Sequence, residues 1–131
     1  LSNYLQSTFT PAMAFGGGTT GITYGTQSGT YVRIGRVIYV SVLLTLTNKG
    51  SSTGSATITG FPVAVGVTSQ IMWARGDLIS YPAGDSVIFA VANSGTTFSL
   101  FGTGSNVNAS ALADTNFNNT SSININGFYF A

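Results

Sequence analysis

The chain has 131 residues, a formal net charge of +1 and 5% charged residues, against about 25% in ordinary soluble domains. It contains no cysteine and no histidine, which excludes disulfides, thiolate metal sites and histidine-dependent catalysis. Four basic residues are too few for the positive surface that a nucleic-acid partner requires. We therefore expect one domain with an uncharged polar surface, which binds no cofactor, metal or nucleic acid.

The apolar segments are arranged as about ten short strands. In chain order the predicted strands are Phe9–Phe15, Gly21–Gly25, Thr30–Ile34, Arg36–Thr47, Ala56–Thr59, Gln70–Ala74, Asp77–Tyr81, Ser86–Ala92, Thr96–Phe101 and Ser122–Phe130. Turns rich in glycine, asparagine and proline separate them, and no apolar run approaches the roughly twenty residues that cross a bilayer. The pattern predicts an all-β, antiparallel single domain of the β-sandwich or jelly-roll type, without membrane insertion.

The first residues are typical of a position inside a longer protein. Leu1 stands where an intact chain has methionine, and the segment after it lacks the basic and long apolar regions of a signal peptide. We expect residues 1–8 to be the end of an upstream connector and residues 9–131 to form the domain.

Two of the predicted strands are apolar on both faces. Between Arg36 and Thr47 every second residue from Ile38 to Leu46 is aliphatic, and the opposite set is half apolar. The strand Ser86–Ala92 has no polar side chain after its first residue. Since one face of a small antiparallel sheet ordinarily meets water, we expect a second sheet or neighbouring subunits to cover the outer face.

The segment from Asn48 to Gly54 surrounds a single lysine with small polar residues. We interpret it as a hairpin loop between the fourth and fifth predicted strands, in which Gly50 and Gly54 permit the positive φ of a bend. Lys49 is expected to point into water. A ligand-binding loop is the alternative.

The carboxylates give little support to an enzymatic activity. The chain has three, Asp77, Asp85 and Asp114, and two of them stand next to turn residues, where aspartate commonly bonds the backbone. A glycosidase uses a carboxylate pair about 5–10 Å apart, and neither histidine nor cysteine is present as base, nucleophile or ligand. We expect neither a catalytic site nor a metal site.

The single tryptophan indicates a candidate carbohydrate site. On strand parity Trp73, Arg75 and Asp77 share one side, and Tyr81 follows closely. The aromatic rings can stack on sugar C–H surfaces while the polar neighbours bond hydroxyl groups. The competing interpretation is a tryptophan packed in the core. Arg75-Gly76-Asp77 also spells an integrin-binding tripeptide, for which a bend with Gly76 at its apex is the structural alternative.

Local patterns near both ends of the chain carry a family resemblance. The first patterns are Phe9-Thr10-Pro11, Phe15-Gly16-Gly17-Gly18, Gly21-Ile22-Thr23-Tyr24, Gly29-x-Tyr31-x-x-Ile34-Gly35 and Lys49-Gly50-Ser51-Ser52-Thr53-Gly54-Ser55-Ala56. The last are Asp114-x-x-Phe117, Asn119-Thr120-Ser121-Ser122-Ile123 and a final aromatic strand. Together they resemble the C-terminal domain of bacteriophage tail fibre and tailspike proteins, and they leave residues 63–108 as the more individual middle.

The resemblance implies a homotrimeric distal domain on the virion tail that recognises capsule or lipopolysaccharide of the host. Its partners are then two further copies, the remainder of the fibre and the host polysaccharide. Trimer contacts are expected from Val37, Tyr39, Ile88, Phe128 and Phe130. The alternative is a structural trimerisation domain, with recognition or depolymerase activity elsewhere in the parent chain. A nonviral jelly-roll lectin is also left open.

Overall fold

The computed structural model describes residues 4–131, apart from the side chains of residues 93 and 94. Its strands are β1 Tyr4–Phe9, β2 Ala12–Phe15, β3 Ile22–Ile34, β4 Val37–Lys49, β5 Ala56–Thr59, β6 Gln70–Asp77, β7 Val87–Ser94, β8 Thr97–Gly104, β9 Val107–Ala111 and β10 Ser122–Phe130. A short 3-10 helix at Asp114–Asn116 precedes the last strand. No helix in these residues is long and apolar enough to cross a membrane.

The strands form one antiparallel sheet in the order β1-β3-β4-β10-β6-β7-β8-β5-β2, with β9 beside β8. Two residues, Thr10 and Pro11, connect β1 and β2, which lie at opposite ends of that order. The sheet therefore curls until its ends meet, and the Met13 N–H of β2 donates to the Tyr24 hydroxyl of β3 at 2.7 Å. The all-β, antiparallel prediction is confirmed, whereas the sandwich or jelly-roll arrangement stays a prediction.

The core lies inside this curl. The predicted apolar face of β4 is confirmed, since its alternate side chains from Ile38 to Leu46 are all buried. Phe15, Phe98 and Tyr129 are the largest of the fully buried side chains. The Tyr129 hydroxyl donates to the Val63 carbonyl oxygen at 2.7 Å, and burial raises the pKa of Tyr129 to about 12.

Several predicted strand limits were wrong for local reasons. The predicted strand Phe9–Phe15 is broken at Pro11, which has no N–H to donate to a ladder. The predicted strand Asp77–Tyr81 is absent, because Leu78 adopts a φ of 58°, outside the extended region. The strands predicted at Gly21–Gly25 and Thr30–Ile34 form one continuous strand, β3, and β9 was not predicted.

The amino-terminal residues from Tyr4 onward are paired. Residues 4–8, which the sequence assigned to a connector, lie in β1 and pair with β3. Residues 1–3 of that predicted connector lie outside the described residues. The position of the domain boundary stays a prediction.

The loop that begins after Lys49 is a structural crossover and not a hairpin. It leads from β4, which lies between β3 and β10, to β5, which lies between β8 and β2. The Lys49 ammonium donates to the Asp114 carbonyl oxygen at 3.1 Å, and the Lys49 N–H donates to Asn119 Oδ1, also at 3.1 Å. The expectation that Lys49 points into water was wrong, because the lysine fixes this crossover against the turn before β10.

Candidate functional site

The outer face of β1, β3, β4, β10 and β6 is divided into two zones by strand register. Outward side chains at one end form an apolar patch, which we define as Tyr4, Val32, Ile34, Val37, Tyr39, Phe128 and Phe130. The next positions along the same strands are polar apart from the exposed Leu43, and they form a polar strip, which we define as Thr8, Ser28, Thr30, Ser41, Ser122, Asn124 and Asn126. A groove of about 850 Å³ follows the boundary between the two zones.

Aromatic rings dominate the apolar patch. Tyr39 and Phe128 face each other across β4 and β10, with ring centroids 5.7 Å apart, and each is 49% exposed. Phe130 extends this row, at 5.9 Å from Phe128. Four of the five residues predicted at a trimer interface, Val37 included, therefore lie together on one surface.

Ile88 is the exception among the predicted interface residues. It is only 1% exposed, because β7 directs Ile88, Ala90 and Ala92 into the core. Because the Ile88 side chain is buried in the core, it cannot contact a neighbouring chain, and its prediction as an interface residue was wrong. The sequence could not show whether Ile88 or the alternate residues of the strand face the core, since both faces of the strand are apolar.

Trp73 stands on the outer face of β6 and is 63% exposed. The shared side of Trp73, Arg75 and Asp77 is confirmed, because all three side chains are exposed, whereas the alternate residues Met72 and Ala74 are buried and half-buried. The interpretation of Trp73 as a core residue was wrong. Its neighbour Phe89 on β7 has its ring centroid 5.7 Å away at an angle of 66°, which supports the indole from one side.

The covering of β7 comes from the chain itself. Phe89 is only 8% exposed although it belongs to the outer set, because the Trp73 and Phe101 rings lie on either side of it. Phe89 and Phe101 are nearly parallel, with centroids 5.9 Å apart. This aromatic row, and not a second sheet or a subunit, covers the outer face of β7 at this position.

Arg75, Asp77 and Tyr81 lie next to Trp73 or to its strand. Arg75 Nε and Asp77 Oδ1 form an exposed ion pair at 3.2 Å. The Tyr81 hydroxyl donates to the Gly76 carbonyl oxygen at 3.4 Å, which brings Tyr81 to the end of β6. Gly76 itself is not at the apex of a bend, because it pairs with Ile123 inside the sheet.

A cleft opens between β6 and β10 beside Trp73. The two strands pair from Ser122 to Ile125 and, in the described residues, no further along β10. The cleft has a volume of about 340 Å³. Its lining includes Gln70, Ile71, Trp73, Asn126, Gly127 and Phe128. The sequence did not indicate Gln70, Asn126 or Gly127, because only the register of β6 against β10 brings them to Trp73.

Each of the three carboxylates has its own partner. Asp77 pairs with Arg75, Asp85 Oδ2 accepts from the Ser110 hydroxyl at 3.3 Å, and Asp114 Oδ1 accepts from the Gly54 N–H at 2.9 Å. Across residues 4–131 no three acidic, histidine or cysteine side chains form a group that could hold a metal ion.

Comparison with known proteins yields the class of fold. No family model matches the chain, and no curated protein matches it. Among solved structures it has the fold of part of a tailspike, with a TM-score of 0.78 over 97% of this chain. That structure is the Dettilon tailspike protein (gp208), 19% identical in sequence, of which the match covers 24%. At this identity the likeness establishes the fold alone, and the chain spans about a quarter of that tailspike's length.

Proposed function

We propose that this chain is a receptor-binding domain of a phage tail fibre or tailspike, which acts on the virion tail as a homotrimer and binds host capsule or lipopolysaccharide. The observation that carries the proposal is the exposed Trp73 surface on a domain with a tailspike fold. Carbohydrate binding needs aromatic faces for the C–H surfaces of a sugar and uncharged polar groups for its hydroxyls, and both occur on this face. The role is binding and not catalysis.

The apolar patch supports assembly. Exposed rings of Tyr39, Phe128 and Phe130 form a continuous surface with Val37 and Ile34, and continuous apolar surfaces of this kind ordinarily mark contacts with another protein. A second copy of the chain is the partner that a homotrimeric fibre supplies. The polar strip then borders the interface.

The patch also favours a second candidate function. A domain that only locks the trimer, with recognition or depolymerase activity elsewhere in the parent protein, needs the apolar patch but not the exposed tryptophan. The exposure of Trp73 favours recognition, because an exposed indole beside a cleft can bind a ligand, which a domain that only locks the trimer does not require.

The test is binding of the purified domain to a panel of bacteria and to arrayed capsule and lipopolysaccharide fragments. We expect Trp73→Ala to weaken binding at least tenfold, as for other central aromatic contacts. Val107→Ala, an exposed apolar change on β9, is the matched control and should leave binding unchanged. A stable trimer that binds none of these surfaces would leave only the trimer-locking function.

A further inference from the structure

The cleft beside Trp73 exists because the sheet opens locally. β10 continues against β4 to Phe130, and β6 continues against β7 back to Gln70, but the two strands separate beyond the Ile125–Ala74 pair. Backbone at residues 71–73 and 126–128 therefore borders an open space instead of a shared ladder. Such backbone offers hydrogen-bonding groups to a ligand without any charged side chain.

Gln70 closes one end of this opening. The Phe130 N–H donates to Gln70 Oε1 at 2.7 Å, and Gln70 Nε2 donates to the Phe130 carbonyl oxygen at 3.1 Å. The side-chain amide thus takes the place of a strand residue and holds β6 and β10 apart at a fixed spacing. The cleft is a built feature of the sheet, since both strands are fixed at the two ends of the gap.

The walls of the cleft combine apolar and amide surfaces. Trp73 stands on the β6 side and is supported from behind by Phe89, while Phe128 stands on the β10 side against Tyr39. Asn126 places its amide in the same lining, and its Nδ2 donates to Asn124 Oδ1 at 2.8 Å, which orients it. Gly127 presents no side chain, and a Cβ there would lie 3.2 Å from Met72 Cγ.

We propose that this cleft binds one neutral pyranose ring of a glycan, with a C–H face on the Trp73 indole and ring hydroxyls on the Asn126 amide. The site deepens the proposed function and rests on it for its biological role. A volume of about 340 Å³ lies at the lower end of ligand pockets, which suits a single ring. The sugar is neutral because the nearby charges, Arg75 and Asp77, are paired with each other.

The test uses the only tryptophan of the chain as a reporter. Methyl glycosides of glucose, galactose, mannose, rhamnose and N-acetylglucosamine are titrated into the intact protein while its tryptophan emission is recorded. At least one should shift the emission to the blue and saturate, with a dissociation constant on the order of millimolar, as expected for one ring. Asn126→Ala should weaken that binding about fivefold or more, the effect of one lost hydrogen bond. Asn108→Ala on β9 is the matched control and should not.

Three outcomes would overturn the cleft assignment. The first is saturable glycoside binding in calorimetry that leaves the emission of Trp73 unchanged. The second is an emission unchanged by every glycoside while the domain binds host cells, which retains the proposed function and removes the cleft. The third is a red shift of the Trp73 emission when Tyr39→Asp dissociates the protein. Such a shift would mean that a neighbouring chain covers Trp73 in the assembled protein. Glycoside binding without cell binding would keep the cleft and remove the proposed function.

Discussion

The apolar patch and the polar strip occupy the same strands, two residues apart. On β4 the outward side chain is Tyr39 in the patch and Ser41 in the strip, and on β10 it is Phe128 in the patch and Asn126 in the strip. All four belong to the same outward set, so alternation along the strand does not separate them. The chemistry changes along the strands, and in the function proposed above the apolar end of the face would serve assembly and the polar end recognition.

The largest effect should come from a charge inside the patch. Tyr39→Asp should convert the proposed trimer to a monomer and raise the dissociation constant for its assembly at least about 100-fold, because an unpaired carboxylate would be buried at the proposed interface. Light scattering at micromolar concentration should then give a mass near 13.5 kDa in place of three times that value.

The control for this change lies in the strip. Asn124→Asp introduces the same charge on the same face, and association should be unchanged. An Asn124→Asp protein that also dissociates would contradict the division into two zones. A wild-type protein that is already monomeric would contradict the trimer itself.

The next largest effect concerns the residue that holds the cleft open. Gln70→Leu removes both hydrogen bonds to the Phe130 backbone and should lower the free energy of unfolding by about 1–2 kcal/mol, since water reaches part of the site. Urea denaturation measures the change. As the control, Gln6→Leu at an exposed position of β1 should shift the unfolding free energy by less than about 0.5 kcal/mol. An equal effect of the two substitutions would show that Gln70 does not hold β6 and β10 in place.

A comparable effect, confined to alkaline pH, follows from Tyr129, which faces the core between Phe128 and Phe130. Burial raises its pKa to about 12 in the folded state, above the value near 10 of an exposed tyrosine. Burial also raises the pKa of Tyr24. Below about pH 9 both states keep the tyrosine proton, so these tyrosines give no pH dependence there. From pH 10 to 12 the tyrosine hydroxyl loses its proton in the unfolded chain but keeps it in the folded chain. The free energy of unfolding therefore falls by up to about 1.4 kcal/mol per pH unit for Tyr129.

Urea denaturation at pH 8, 9 and 11 measures this dependence. The unfolding free energy should be nearly the same at pH 8 and pH 9, and lower at pH 11. Tyr129→Phe should make the alkaline decline less steep. An identical decline in both proteins would assign the effect to other groups.

The smallest effect concerns the ion pair beside Trp73. Asp77→Asn should change the free energy of unfolding by less than about 0.5 kcal/mol, because both partners are exposed and water screens their attraction. Thermal denaturation at low and high salt is the measurement. A loss above 1 kcal/mol would show that the pair has a structural role that its exposure does not suggest.

Strand content and the inward face of β4 could be predicted from the sequence because aliphatic residues there alternate with period two. The predicted limits of Ala56–Thr59 and Ser122–Phe130 match β5 and β10 in full. Prediction failed where both sets of a strand are apolar, as at Ile88, or where a single backbone angle ends a strand, as at Leu78. Parity also grouped Trp73 with Arg75 and Asp77 but did not decide whether that side faced water.

The sequence by itself determined that this chain is an antiparallel all-β domain with scarce charge, and it placed an aromatic and polar group on one side of β6. Only the tertiary structure decided that Trp73 is exposed, that Lys49 is bound to the turn before β10, and that a cleft opens beside Asn126. The physical reason is that propensity and alternation act between residues close in the chain. Register and curling act between strands up to about a hundred residues apart, and these fix which side chains meet.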